Sequence, residues 1–179
     1  MRDGVINRIK EAFYKASHKD YPIKITGEIL ISGFGSCHNG SWNSEKSDID
    51  VTAVFFDSLT HNHHQLIKMC SKIISKVAQR GTLTYVPASR VPILKFIEEE
   101  SGIQVDFNVN NLLGITNSNL IFTYMQVDQR FHIINVFLKW WAKSVGIIGA
   151  AYGYLSSYAL TLMVIAFLQN TDTPVLPCL

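Results

Sequence analysis

Cysteine is scarce in this chain, and no Cys-x-x-Cys pair occurs in its 179 residues. Cys37, Cys70 and Cys178 are odd in number and far apart. That argues against a disulfide framework or a zinc site and for thiols kept reduced inside a cell. The N-terminus carries Asp3 and Glu11 among its bases and lacks an apolar signal core. The expected compartment is intracellular, the cytoplasm first, with nucleus or organelle left open. The most lipid-like stretch, Ala159 to Leu168, is about half of the roughly 20 residues a membrane span needs. It reads as a buried helix, and no membrane partner is expected. Charge is also sparse. Charged residues make up 17%, and 16 basic against 14 acidic side chains leave a formal charge of +2, too little to carry a nucleic-acid assignment alone. What the chain has in quantity is apolar residues, 47%, ample for a packed core. The length fits one domain, or one domain plus part of another.

Residues 5–16 place Ile6, Ile9, Phe13 and Ala16 at helical spacing, and Tyr21-Pro22 ends that helix. Glu28 to Ser32 is a short apolar run leading into the turn Gly33-Phe34-Gly35-Ser36. Val51 to Phe56 is apolar on both faces, as a central strand should be. A helix is expected over His61 to Arg80, stopped by Gly81. Strands follow at Thr82 to Val86 and Val91 to Phe96. After the turn Glu98-Glu99-Glu100-Ser101-Gly102 comes a further strand, with Gln104, Asp106 and Asn108 on one face and Ile103, Val105, Phe107 and Val109 on the other. From Asn117 onward only helices are expected, at about 117–126, 128–144 and 155–169. The ending Thr173-Pro174-Val175-Leu176-Pro177 reads as the first half of a helical domain cut short.

The chemistry sits in the strands. Asp48 and Asp50 lie twelve and fourteen residues after Ser36, in Ser47-Asp48-Ile49-Asp50-Val51. Successive strand side chains alternate, so both acids share a face. A third carboxylate beside them raises their pKa values unless a cation lies between. Asp106 is the candidate third, an acid flanked by apolar residues that seldom lies buried without a partner. Hard oxygen ligands for Mg²⁺ (or Mn²⁺) beside a Gly35-Ser36 turn suit phosphoryl or nucleotidyl transfer. Each part has a plainer reading. Most Gly-Ser pairs are ordinary turns, and an Asp-x-Asp is often just solvated.

Taken in order, these motifs resemble the DNA polymerase β-like nucleotidyltransferase superfamily, and within it the terminal uridylyltransferases and noncanonical poly(A) polymerases. The resemblance runs from Ile29 to Leu179. It rests on Gly35-Ser36 to Asp48-Ile49-Asp50, on Val105-Asp106-Phe107-Asn108-Val109-Asn110-Asn111 with Asn117-Ser118, on Leu138-Lys139-Trp140-Trp141-Ala142-Lys143, and on Gly153-Tyr154-Leu155-Ser156-Ser157-Tyr158-Ala159-Leu160. It implies an α+β fold: a mixed-sheet catalytic domain over about 20–113, with a partial helical domain formed by 1–19 and 114–179.

The resemblance also implies roles. Asp48 and Asp50 would hold two Mg²⁺ ions, and Asp106 the ion that activates an RNA 3′-hydroxyl. Lys139 and Lys143, four apart on one helix face, would reach the triphosphate of UTP or ATP, although a solvated basic stripe explains most such pairs. Ser157 would sit at a helix start and Tyr158 on the base, where core packing is the plainer role. Asn117 and Ser118 would meet ribose and base edge, and they equally suit a helix N-cap. The implied activity is template-independent addition of UMP, or AMP, to an RNA 3′ end. Rivals are a catalytically silent RNA-binding or scaffold relative, and a transferase acting on a small-molecule or protein hydroxyl.

Other features are read structurally. His61, His63 and His64 are assigned to an exposed loop, and Trp140 and Trp141 to the helical core. Arg90 and Lys95 are candidates for RNA contact. The chain departs from the family at Cys37-His38-Asn39-Gly40 and in a slightly long insert, Ser41 to Lys46. Relatives continue past Leu179 into a loop that sets the choice between UTP and ATP.

Overall fold

Side-chain alternation divides the sheet into an apolar face and a polar one. A computed structural model describes residues 2–17, 28–41, 47–56, 62–87 and 91–179. Tyr21-Pro22, His61, Arg90 and most of the 41–46 insert therefore lie outside the described residues. Five strands run in the order β1-β2-β5-β4-β3: β1 (Ile29–Phe34), β2 (Ile49–Phe55), β3 (Thr84–Val86), β4 (Ile93–Ile97) and β5 (Gln104–Val109). Among the strands of the described residues only the β2–β5 pair is parallel; the others are antiparallel. Parallel neighbours need a long crossover, and here α3 (His63–Ile74), β3 and β4 supply it.

Ile49, Val51, Ala53 and Phe55 of β2 and Val105, Phe107 and Val109 of β5 face one way. They pack with Leu66, Ile67, Cys70, Ile73 and Ile74 of α3 and with Val5, Ile9, Phe13 and Ala16 of α1 (Arg2–Ser17). Phe13 stacks on Phe107 with ring centroids 5.8 Å apart. The expectation that residues 1–19 join the later helices is thus corrected: the apolar stripe of α1 covers the sheet. Helix α3 also ends earlier than expected. Its C-cap is Ser75, and turns carry the chain on to Gly81.

A second core joins α4 (Leu112–Val127), α5 (Gln129–Ser144) and α6 (Ser157–Gln169) through Ile121, Tyr124, Met125, Phe131, Val164, Ile165 and Leu168. The proline-punctuated ending folds back on it: Leu176 is buried, and Val175 N–H donates to the Leu168 carbonyl at 2.8 Å. Two helix-face readings change. Trp140 and Trp141 of α5 are largely exposed rather than packed in a core, and α6 exposes Met163 and Phe167 while burying its other side. Among the described residues no helix is long and apolar enough to cross a membrane. His63 and His64 open α3 instead of lying in a loop, with the His64 ring against the Tyr85 hydroxyl.

Arg8 ties α1 to the turn after β4 through ion pairs with Glu98 and Glu100. Arg8 Nε and Nη2 meet the two oxygens of Glu98 at 2.8 and 2.7 Å, and the Glu98 side chain is 1% exposed. Ser101 adds its hydroxyl and amide N–H to the same carboxylate. Burial alone would raise the Glu98 pKa; Arg8 and the Ser101 and Glu100 donors outweigh it and hold the carboxyl at about 2. A depressed acid stabilises the fold above its unfolded value of 4.5, and that contribution fades as pH falls toward 2. Glu98→Gln should cost about 2 kcal/mol at pH 7. In urea titrations from pH 7 down to 2, the wild-type advantage over the variant should shrink between 4.5 and 2.

Candidate functional site

The polar sheet face carries the acids. Cross-strand register aligns Phe34 with Asp50, Asp50 with Asp106, Asp106 with Lys95 and Lys95 with Thr84, one row spanning all five strands. Asp106 thus stands between Asp50 on one side and Lys95 on the other. Asp48 sits just before β2 and accepts from Gln104 Nε2 at 3.4 Å. Lys95 Nζ lies 2.5 Å from Asp106 Oδ2, while Asp106 Oδ1 is buried with no hydrogen-bond partner.

Like charges in one row leave an electrostatic signature. Burial, then Asp106 and Asp48, pushes the Asp50 carboxyl up to about 7. Burial, then Asp106, raises Asp48 as well. Lys139 is shifted the other way, lowered by burial against the pull of Asp50. Among the described residues no group of three His, Cys, Asp or Glu is gathered so as to hold a metal ion as the side chains stand, and Lys95 takes an oxygen of Asp106. The donor set nonetheless suits a hard divalent cation: three carboxylates in electrostatic contact, one with a buried oxygen left unpaired.

Gly35 follows β1 with φ 68° and ψ −150°, a backbone region essentially limited to glycine. A Cβ built there would collide with Asp50 Oδ2 and lie 3.1 Å from its Cγ. The turn therefore comes as close to the acid row as a backbone can. Ser36 then opens the short helix α2 (Ser36–Asn39).

The helical part is joined to this turn by specific bonds. Gly35 N–H donates to Ser118 Oγ at 2.6 Å, and Ser118 Oγ donates to the Gly114 carbonyl at 2.7 Å. His38 Nε2 meets Asn119 Oδ1 at 2.9 Å. Lys139 Nζ reaches the Ser41 carbonyl at 3.1 Å and its hydroxyl at 2.9 Å. The α4 N-cap is Asn111, whose side chain accepts from Gly114 N–H, so Asn117 and Ser118 do not cap this helix. Before it, Asn110 adopts φ 53° and accepts from Phe55 N–H at 2.9 Å. Asparagine tolerates this left-handed turn, which lets β5 pass directly into α4.

A cavity of about 530 Å³ opens between the acid row and the helices. Gly35, Ser36, Asn117, Ser118, Lys139, Lys143, Ser157 and Tyr158 line it, together with Asp48 and Asp50, whereas Asp106, the register partner of Asp50 on β5, is not part of the lining. The sequence thus selected residues that share one cleft, although Ser118 spends its hydroxyl on holding Gly35. Ser156 caps α6 by accepting from Ala159 N–H, which places Ser157 in the first turn. Ser41, Asn39 and Thr161 also line the cleft and were not singled out by motif. Ser41 is buried and bonded to Asn39, a contact across a turn that leaves no periodic trace in sequence.

Similarity to known proteins follows the same lines. A family model described as poly(A) RNA polymerase, mitochondrial-like, central palm domain matches residues 4–126. Poly(A) RNA polymerase GLD2-A of Xenopus laevis is 36% identical over 149 residues, covering 81% of this chain and 29% of the relative. Terminal uridylyltransferase 7 of Homo sapiens is 33% identical over 157 residues, covering 83% of this chain and 10% of the relative. The chain therefore spans less than a third of the length of these relatives. Among solved structures, Cid1 with its short product ApU superposes with a TM-score of 0.79 at 21% identity, over 98% of this chain and 51% of that one. A mutant of the Cid1 poly(U) polymerase bound to MgATP gives 0.79 at 24% identity, over 98% and 52%. These likenesses show that the chain has the same fold as those structures, a mixed five-stranded sheet with flanking helices.

Two outcomes test this geometry. Gly35→Ala should lower stability by about 1–3 kcal/mol, read as a reduced urea midpoint, because neither the turn nor Asp50 has room for a methyl group. An acid whose folded pKa is raised costs stability as pH climbs from its unfolded value, 3.8, to about 7. Asp50→Asn should therefore raise the Tm at pH 8 in chelator by at least about 2 °C, and leave it unchanged near pH 4.

Proposed function

Because the chain belongs to the poly(A) RNA polymerase, mitochondrial-like, central palm domain family, we propose that the protein adds UMP, or AMP, to RNA 3′ ends without a template. The observation that carries this reading is the register match of Asp50 with Asp106, with Asp50, Asp48 and a glycine turn at the wall of one cleft. In the reaction the RNA 3′-hydroxyl oxygen attacks the α-phosphorus of the nucleotide. The new P–O bond forms as the bond to pyrophosphate breaks, and the hydroxyl proton leaves to solvent or base.

Asp48, Asp50 and Asp106 would hold Mg²⁺ or Mn²⁺, which when bound lowers the pKa of the attacking hydroxyl and offsets charge on the leaving pyrophosphate. The chain's own groups do the positioning. Gly35 lets phosphate oxygens approach the backbone, and Ser36 offers a hydroxyl and an amide N–H beside it. Lys143 and, at the inner wall, Lys139 place positive charge along the cleft for a triphosphate. Ser157 adds the start of α6, and half-exposed Tyr158 offers an aromatic face to the base. Asn117 lines the same cleft and would meet the ribose. Ser118 acts indirectly, keeping the Gly35 amide in place.

The experiment is extension of an end-labelled RNA with Mg²⁺ and UTP or ATP. Wild type should lengthen the RNA, and the nucleotide giving longer products identifies the base added. Asp106→Ala should lower the rate by at least about 100-fold, since outer partners of metal ligands already cost 10–100-fold. Extension that survives in Asp106→Ala would remove the mechanism. Nucleotide binding without any extension by wild type would leave a binding module in its place.

A further inference from the structure

The acid row has a cation built into it. Lys95 projects from β4 onto the polar face, directly across from Asp106, and bonds Asp106 Oδ2. Its charge is felt by Asp48 and Asp50 as well, where it opposes the neighbouring carboxylates. Lys139 and Lys143 each act on one acid of that pair, Asp50 and Asp48 respectively. Lys95 therefore neutralises the row from its far end, and its side chain is 40% exposed, with a route out to solvent. We propose that Lys95 is a positioning residue, the internal counter-cation of the carboxylate row, which holds Asp106 until a divalent cation takes over that charge.

The inference rests on the metal-dependent reading above, but it concerns a lysine and not a metal ligand. The three carboxylates repel one another, and the strand pairing that fixes the backbones of Asp50 and Asp106 keeps those two adjacent. An ammonium on a four-carbon stem can join them and leave again, as a rigid guanidinium fork cannot do so readily. When a divalent cation occupies the row, the same ammonium becomes a like charge a few ångström away. Lys95 therefore steadies the unloaded site and competes with loading.

The test uses Mn²⁺ alone, with no nucleotide and no RNA, followed by the loss of the free Mn²⁺ resonance signal. Lys95→Met should bind Mn²⁺ about tenfold more tightly than wild type, the size expected from removing one unit charge near a divalent ion in a largely hydrated site. In chelator the same variant should melt below wild type, because Asp106 then lacks its partner, and Mn²⁺ should raise its Tm by more. Lys95→Arg keeps the charge and should bind Mn²⁺ no more tightly than wild type. If Lys95→Met is poorly folded, Lys95→Gln is read in the same way. Equal or weaker Mn²⁺ binding by the neutral variants overturns the proposal, as does an absence of Mn²⁺ binding in all of them. RNA extension by wild type judges the transferase reading separately, so the two ideas fail by different results.

Discussion

Parallel pairing of β2 with β5 sets two carboxylates side by side, and the rest of the structure accommodates that contact. Asp50 and Asp106 are held by backbone register, so side-chain rotation alone cannot part them. Their repulsion is opposed, though not cancelled, by Lys95 on one flank and by Lys139 of α5 across the cleft. Desolvation makes the contact more costly, because charges inside a cleft interact more strongly than in water. A protein that only needed to be stable would not keep such a row. The arrangement fits the metal-dependent reading proposed above, in which a divalent cation would offset the carboxylates' charge.

Two cores support this row from different sides. Behind it, α1 and α3 cover the apolar sheet face, and the Arg8–Glu98 pair fixes α1 to the turn that leads into β5. In front, α4, α5 and α6 form their own core and offer the cleft a wall of lysine, serine and tyrosine. The division of labour follows from strand alternation: every second residue of β2 and β5 is committed to packing, which leaves the others free to be acidic or polar.

Much of the site was legible because its signals are local. Asp48 and Asp50 follow the strand period, the Gly35-Ser36 turn lies at fixed spacing before them, and Asp106 stands out as an acid among apolar neighbours. Residues from four separated motifs converge on one cleft. What was not legible depends on contacts between distant segments. Nothing within Glu98-Glu99-Glu100 marks the first glutamate as a buried partner of Arg8, ninety residues away. The stripe of α1 fits a sheet and a helical layer equally well. Asn111 rather than Asn117 caps α4, because the left-handed turn at Asn110 starts that helix earlier. Trp140 and Trp141 were assigned to a core on hydrophobicity alone, which does not say which side of α5 faces inward.

The bond from Gly35 N–H to Ser118 Oγ has a mechanical consequence. It fastens the sheet side to the helical layer, together with the His38–Asn119 and Lys139–Ser41 contacts. Any rigid-body opening of the cleft either breaks these fastenings or swings about them as a pivot. In the second case the Gly35 turn barely shifts, whereas the parts of the helical wall remote from it, the α6 start with Tyr158 among them, move more. The machinery would then stay aligned while the far wall gives way to admit or release its occupant.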